Sequence, residues 1–185
     1  MRLYNLSYAA RNFIMKAFTL LGAGLLLFSL HVSALEKENP KQVDEVQQRT
    51  QQLVPYDLNQ TQLTFTRTVH GGVQHVIAKS ADNTRQIKLI QANLLKMAID
   101  FRKGDFSVTE KIHGATMPGL AQLKKAEMYD IKYEYKALPN GAQIHYSTEY
   151  PQYVQALHEW FDAQMSEHGS QVDPGHSQYH ATPAE

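Results

Sequence analysis

The stretch YVQALHEWFDAQMSEH, residues 153–168, decides the reading of this chain. At 100° per residue Val154, Leu157, His158, Phe161, Met165 and His168 fall on one stripe, so the spacing predicts an amphipathic helix carrying two histidines and a methionine on its apolar face. Pro151 stands near its first turn, where a missing N–H costs little. Such a stripe needs an apolar surface to cover, and the residues before it supply one. Ile131, Tyr133 and Tyr135 alternate with Lys132, Glu134 and Lys136, Asn140-Gly141 carries a type I′ turn signal, and Ala142, Ile144 and Tyr146 form the return strand.

The same order occurs earlier. Leu63, Phe65, Arg67 and Val69 alternate with Thr64, Thr66 and Thr68; Gly71-Gly72 offers a turn, and Val73 to Ala78 resumes the hairpin. Asn83 and Thr84 can cap a helix over 84–103 with Ile87, Ile90, Leu94, Met97, Ala98 and Phe101 buried and Gly104 ending it. Gly72 precedes Gly141 by 69 residues and Ile87 precedes Val154 by 67, the spacing of an internal repeat. The expected fold is α+β, a duplicated hairpin-helix (ββα-ββα) with a four-stranded antiparallel sheet and two helices on one face, because neither half can bury its own apolar surface. A connector over 105–130 holds Pro118-Gly119 and a short helix near Leu120 to Ala126.

The flanks have a different character. Arg2, Arg11 and Lys16 precede an uncharged run of 14 residues, Ala17 to Leu30, followed by Val32-Ser33-Ala34. This is the pattern of a secretory signal peptide over 1–34, cleaved after Ala34, with Met15 as good a start as Met1. The run is shorter than the roughly 20 residues that span a bilayer, so no stable membrane span is expected after cleavage. Residues 35–60 read as a polar linker with a possible short helix on Val43, Val46 and Leu53-Val54, residues 61–169 as the α+β domain, and residues 170–185 as a disordered tail. The expected location is the periplasm or the medium.

Removing residues 1–34 takes three of the 18 basic residues and none of the 18 acidic ones, leaving 15 against 18. A mildly acidic chain lacks the basic footprint of nucleic-acid binding. The sequence contains no cysteine, which excludes disulfides, thiolate metal sites and a thiol nucleophile together. There is no Gly-x-Ser-x-Gly elbow and no phosphate-cradling glycine loop. Asp105 after Gly104 reads as a cap or turn residue.

Eight histidines follow Ala34, and with Met117 and Met165 they form an inventory suited to copper or haem iron. His113 and Met117 lie four apart in a Gly/Pro-rich loop, and Met165 and His168 lie at i, i+3 on the helix. His158 and His168 are about 15 Å apart along that helix, too far to share an ion. On strand parity His75 is expected on the buried side with Val73 and Ile77, and His145 on the other. Trp160 reads as a packing residue at the helix edge, a place where a tryptophan can also line a ligand site. His176 and His180 sit in the tail.

The residues Gly104-Asp105-Phe106, His113, Pro118-Gly119 and Leu157-His158-x-Trp160-Phe161-x-x-Gln164-Met165-x-x-His168 resemble a group of small exported bacterial proteins of unknown function over about residues 64–168. Members of that group often carry further histidines on the first strand and helix, where this chain has residues such as Thr68, Asn93 and Lys96. Some carry the name aspartate carbamoyltransferase. The enzyme of that name holds carbamoyl phosphate on a Ser-Thr-Arg-Thr loop at a helix start, whereas Thr66-Arg67-Thr68 falls on an expected strand, with no helix N-terminus to cradle a phosphate.

The leading expectation is therefore an exported binding module whose site takes a metal ion, haem or a small ligand through His113, Met117, His158, Met165 and His168. An envelope interaction module with structural histidines is the alternative. An enzyme is the third reading, and it requires a pocket with a perturbed histidine beside a second polar group.

Overall fold

The computed structural model describes residues 40–168; the expected signal peptide, the start of the linker and the tail lie outside the described residues. Ten elements follow in order, counting one 3-10 turn at Leu58–Gln60. They are α1 (Pro40–Leu53), β1 (Thr61–Thr68), β2 (Gly71–Ala78), α2 (Thr84–Arg102), α3 (Ser107–His113), α4 (Leu120–Leu123), β3 (Lys132–Leu138), β4 (Gly141–Ser147) and α5 (Pro151–His168). The four strands form one antiparallel sheet in the order β1-β2-β4-β3. The fold is α+β.

Register decides which side chains face the helices. Phe65, Gln74, Ile144 and Tyr135 lie in one cross-strand row, and Arg67, Gly72, Tyr146 and Tyr133 in the next. These rows carry the buried Phe65, Gln74, Ile144, Tyr146 and Tyr133. Alternation then places Thr64, His75 and Gln143 on the opposite face. His75 is thus on the outer face with Val73 and Ile77, contrary to the expectation, and its Nε2 meets Gln143 Oε1 at 3.1 Å. The error came from assigning Val73 and Ile77 to the core; the buried alternates of β2 are Gln74, Val76 and Ala78. His145 lies on the outer face as expected, beside Glu134.

Both long helices cover the inner face, and they do so crosswise. α2 follows the first hairpin but lies chiefly over β3 and β4, while α5 follows the second and lies over β1 and β2. Each half is covered by the other's helix, so neither is a complete core alone. Between them Phe65, Phe101, Phe106, Tyr133, Tyr146, Trp160 and Phe161 form one aromatic cluster with centroid separations of 4.7 to 6.4 Å. Each such ring removed from water contributes about 1.5–3 kcal/mol. The Tyr146 hydroxyl, fully buried, donates to Gln74 Oε1 at 2.6 Å, which satisfies two polar groups in the core at once.

Helix α2 follows its sequence signals: the Asn83 side chain accepts from the Gln86 N–H at 3.1 Å, and Ile87, Ile90, Leu94, Ala98 and Phe101 are buried. Helix α5 exists as expected but shows a different face. Its buried residues are Tyr153, Ala156, Leu157, Trp160, Phe161, Ala163, Gln164 and His168, a stripe rotated by roughly a quarter turn from the expected one. Val154, His158 and Met165 are on its flank, and Trp160 is central.

The hairpin turns also differ. The two residues joining β1 to β2 are Val69 and His70, and Gly71-Gly72 belongs to β2. A Cβ on Gly72 would stand 2.2 Å from Phe161 Cε2, so this glycine admits the ring of α5 instead of making the turn. In the second hairpin Pro139 and Asn140 make the turn, and neither Asn140 nor Gly141 has positive φ, which rules out type I′. The connector holds α3 besides α4. Residues 40–60, expected as a polar linker with a possible short helix, hold helix α1, which packs on the rest of the fold: Val46 is fully buried, and the Arg49 Nε–H donates to the Ile112 carbonyl at 2.6 Å.

Candidate functional site, a cavity at the end of α5

Helix α3 owes its start to Asp105, whose carboxylate accepts the Ser107 N–H at 2.9 Å. The Ser107 side chain first, and then this backbone bond, hold the Asp105 pKa below the usual carboxylate value, and Asp105 makes a turn one position ahead of the N-cap, Phe106. Gly114, at φ +92°, ends the helix and leaves His113 in its last turn, pointing to the end of α5. There the His113 Nδ1–H donates to Glu167 Oε2 at 2.6 Å, and its ring stands edge-on to that of His168 with centroids 5.1 Å apart. The carboxylate fixes the tautomer and leaves Nε2 as the remaining hydrogen-bonding atom of His113.

His168 and His113 line a cavity of about 60 Å³ with Trp160 and Gln164 of α5. Its other walls are mostly apolar, with Val54, Tyr56, Leu58, Leu63 of β1, Val76 of β2, Met97 of α2 and Ile112 of α3, and include the polar Thr50 of α1, Thr61 of β1, Gln74 of β2 and Thr109 of α3. Of its lining residues Val108 is exposed and Leu58, Leu63 and Met97 are half-buried, so the cavity is not fully enclosed. Gly119, at φ +74°, lets the connector pack onto the same helix: a Cβ there would lie 2.1 Å from the Ala156 carbonyl oxygen.

Two buried polar atoms on this wall have no hydrogen-bond partner among the described residues, Trp160 Nε1 and His168 Nδ1. An unpaired buried donor or acceptor costs about 1–3 kcal/mol, so such atoms are rare without a water or guest to meet them. His168 is only 5% exposed, and burial, with His113 next to it, pushes its pKa down to about 3. At neutral pH it is an uncharged imidazole. Since Trp160 Nε1–H is donor only, a guest needs an acceptor; His168 Nδ1 can donate or accept according to tautomer.

Of the five residues proposed as ligands, the fold brings together His113 and His168. Met117 is buried in the hydrophobic core, away from the cavity wall. Met165 packs against the core from the flank of α5. The Nε2–H of His158 donates to the carbonyls of Thr68 (2.9 Å) and Gly71 (3.0 Å), pinning the first hairpin's turn to α5. Among the described residues no group of three or more His, Cys, Asp or Glu is placed to hold a metal ion. Two nitrogens without the sulfur donors do not make up the His/Met set, and about 60 Å³, the volume of roughly two waters, cannot admit a haem. Thr66, Arg67 and Thr68 lie in β1, with Arg67 paired to Asp162 at 3.2 Å.

The residues that sequence reasoning missed are Glu167, Gln164, Gln74 and the contributions of α1. Glu167, next to His168 in sequence, was the one legible signal, a carboxylate beside a buried imidazole. Among the described residues no helix is long and apolar enough to cross a membrane. Comparison of the chain with protein-family models, with curated proteins and with solved structures finds no match.

Proposed function

We propose that the protein is a small exported binding module and that the cavity between His113, Trp160, Gln164 and His168 is its ligand site. One observation carries the reading: Trp160 Nε1 and His168 Nδ1 are both buried without a partner, and both residues line the same space. The guest is a small uncharged hydrogen-bonding group such as a carbonyl or amide, of on the order of two to four heavy atoms. An uncharged guest fits because His168 is held neutral and the Glu167 carboxylate is already taken by His113, so no free charge stabilises an ion.

The test is ligand-dependent stabilisation of the full chain, followed by denaturant unfolding with formamide, copper(II) and zinc(II) as probes. A guest that binds only the folded state raises stability by about 2.7 kcal/mol at one hundred times its Kd. Formamide is expected to raise the stability of the wild type beyond that of a Trp160→Phe, His168→Phe variant at equal concentration. Equal response of the two proteins would overturn the assignment. Stabilisation by copper or zinc at stoichiometric concentration would replace the uncharged guest with a metal.

A further inference from the structure

An open groove of about 430 Å³ runs between the end of α2 and the free edge of β3. Its apolar lining includes three exposed side chains, Ile99 (38%), Met128 (67%) and Tyr129 (86%). Two of them sit on a tight turn. The Asp130 N–H donates to the Glu127 carbonyl at 3.1 Å, the Asp130 carboxylate accepts the Glu127 N–H at 2.9 Å, and Tyr129 has φ +80° in the third position. Type II turns require that left-handed conformation and ordinarily place glycine there. Tyr129 is the one non-glycine residue with positive φ among the described residues. A strained backbone that holds a bulky ring out in solvent gains nothing for the core.

Charge specifies the occupant. Arg102, Lys103 and Lys132 line the groove, and none of the three has a carboxylate partner among the described residues. The carboxylate present, Glu134, stands against His145. Strand addition by a peptide meets an obstacle, because Arg102 already donates from Nε (2.9 Å) and Nη2 (2.5 Å) to the Tyr133 carbonyl of the edge strand. The groove volume is in the range of small-molecule sites, ~300–1,000 Å³.

We propose that this groove binds an amphiphilic carboxylate, a small molecule whose aromatic or short acyl body lies on Ile99, Met128 and Tyr129 while its carboxylate meets Lys103 and Lys132. The site is independent of the buried cavity. It is tested by titrating 4-phenylbutyrate, and separately its uncharged amide, into the isotope-labelled full chain and following the backbone amides of Lys103, Tyr129 and Lys132 by NMR. The carboxylate is expected to shift these amides saturably, with the amide at least about tenfold weaker, and a Lys103→Glu, Lys132→Glu variant is expected to lose about tenfold in affinity. Both lysines are surface residues, so the variant keeps the core intact. Equal binding of the amide, or unchanged affinity in the variant, would overturn the proposal. So would saturable shifts from an acidic alternating Leu/Asp peptide with none from 4-phenylbutyrate, which would make the groove a protein-docking edge. Tyr129→Gly is expected to raise Tm and weaken the carboxylate; a stabler variant with wild-type affinity would count against the proposal.

Discussion

Replacing His168 by phenylalanine should flatten the acid side of the stability profile. The reasoning rests on a proton count. The folded chain holds His168 neutral down to about pH 3, whereas the unfolded chain binds that proton at the ordinary value of about 6.5. Between these values the unfolded state carries more protons, so stability is fully present above pH 6.5 and is lost as pH falls toward 3. The slope approaches 1.4 kcal/mol per pH unit, and from pH 7.5 to pH 4 the loss from this residue is about 3 kcal/mol. That is a large share of the stability of a domain this size. All other titratable groups are present in both proteins, so the difference between wild type and His168→Phe isolates the buried ring. The assay is urea unfolding at intervals from pH 4 to 7.5. Wild type should lose about 3 kcal/mol more than the variant over that span. Parallel profiles, differing by less than about 1 kcal/mol, would refute the claim that His168 is held neutral by burial.

Gly119→Ala places a methyl group 2.1 Å from the Ala156 carbonyl oxygen at a φ of +74°, so thermal or urea unfolding should register a loss of about 2–4 kcal/mol. Phe161→Ala, at the centre of the aromatic cluster, should cost about 3–5 kcal/mol by the same measurement. His158→Ala removes the donor to Thr68 and Gly71 and should cost about 1–3 kcal/mol while leaving the formamide response of the cavity unchanged; loss of that response would tie His158 to the site after all.

How much of this was legible depends on whether one element or several carried the signal. Helix α2 was readable because a regular stripe, an Asn83 cap and Gly104 agree with one another. The strands were readable from alternation, but Gly71-Gly72 misled: those glycines clear space for Leu157 and Phe161, a tertiary demand that has the same letters as a turn. The face of α5 was misread because apolar residues occur round most of its circumference. Hydrophobicity alone could not rank Trp160 and Ala156 above Val154 and Met165, nor show that Gln164 would be buried beside a cavity. His113 and His168 were identifiable as chemistry-bearing residues, yet their meeting depends on α3, a helix of seven residues too short for periodicity to announce. Other walls come from α1, β1 and β2, about a hundred residues from His168 along the chain, and no local pattern joins them.

The indole resonance of Trp160 tests the central claim most directly, since the chain has a single tryptophan and its ¹H–¹⁵N signal needs no assignment. Formamide titrated into the labelled full chain should move that signal saturably, and His168→Phe should weaken the response. An indole signal that stays fixed through the titration, or moves equally in the variant, would contradict the reading of the cavity as a ligand site.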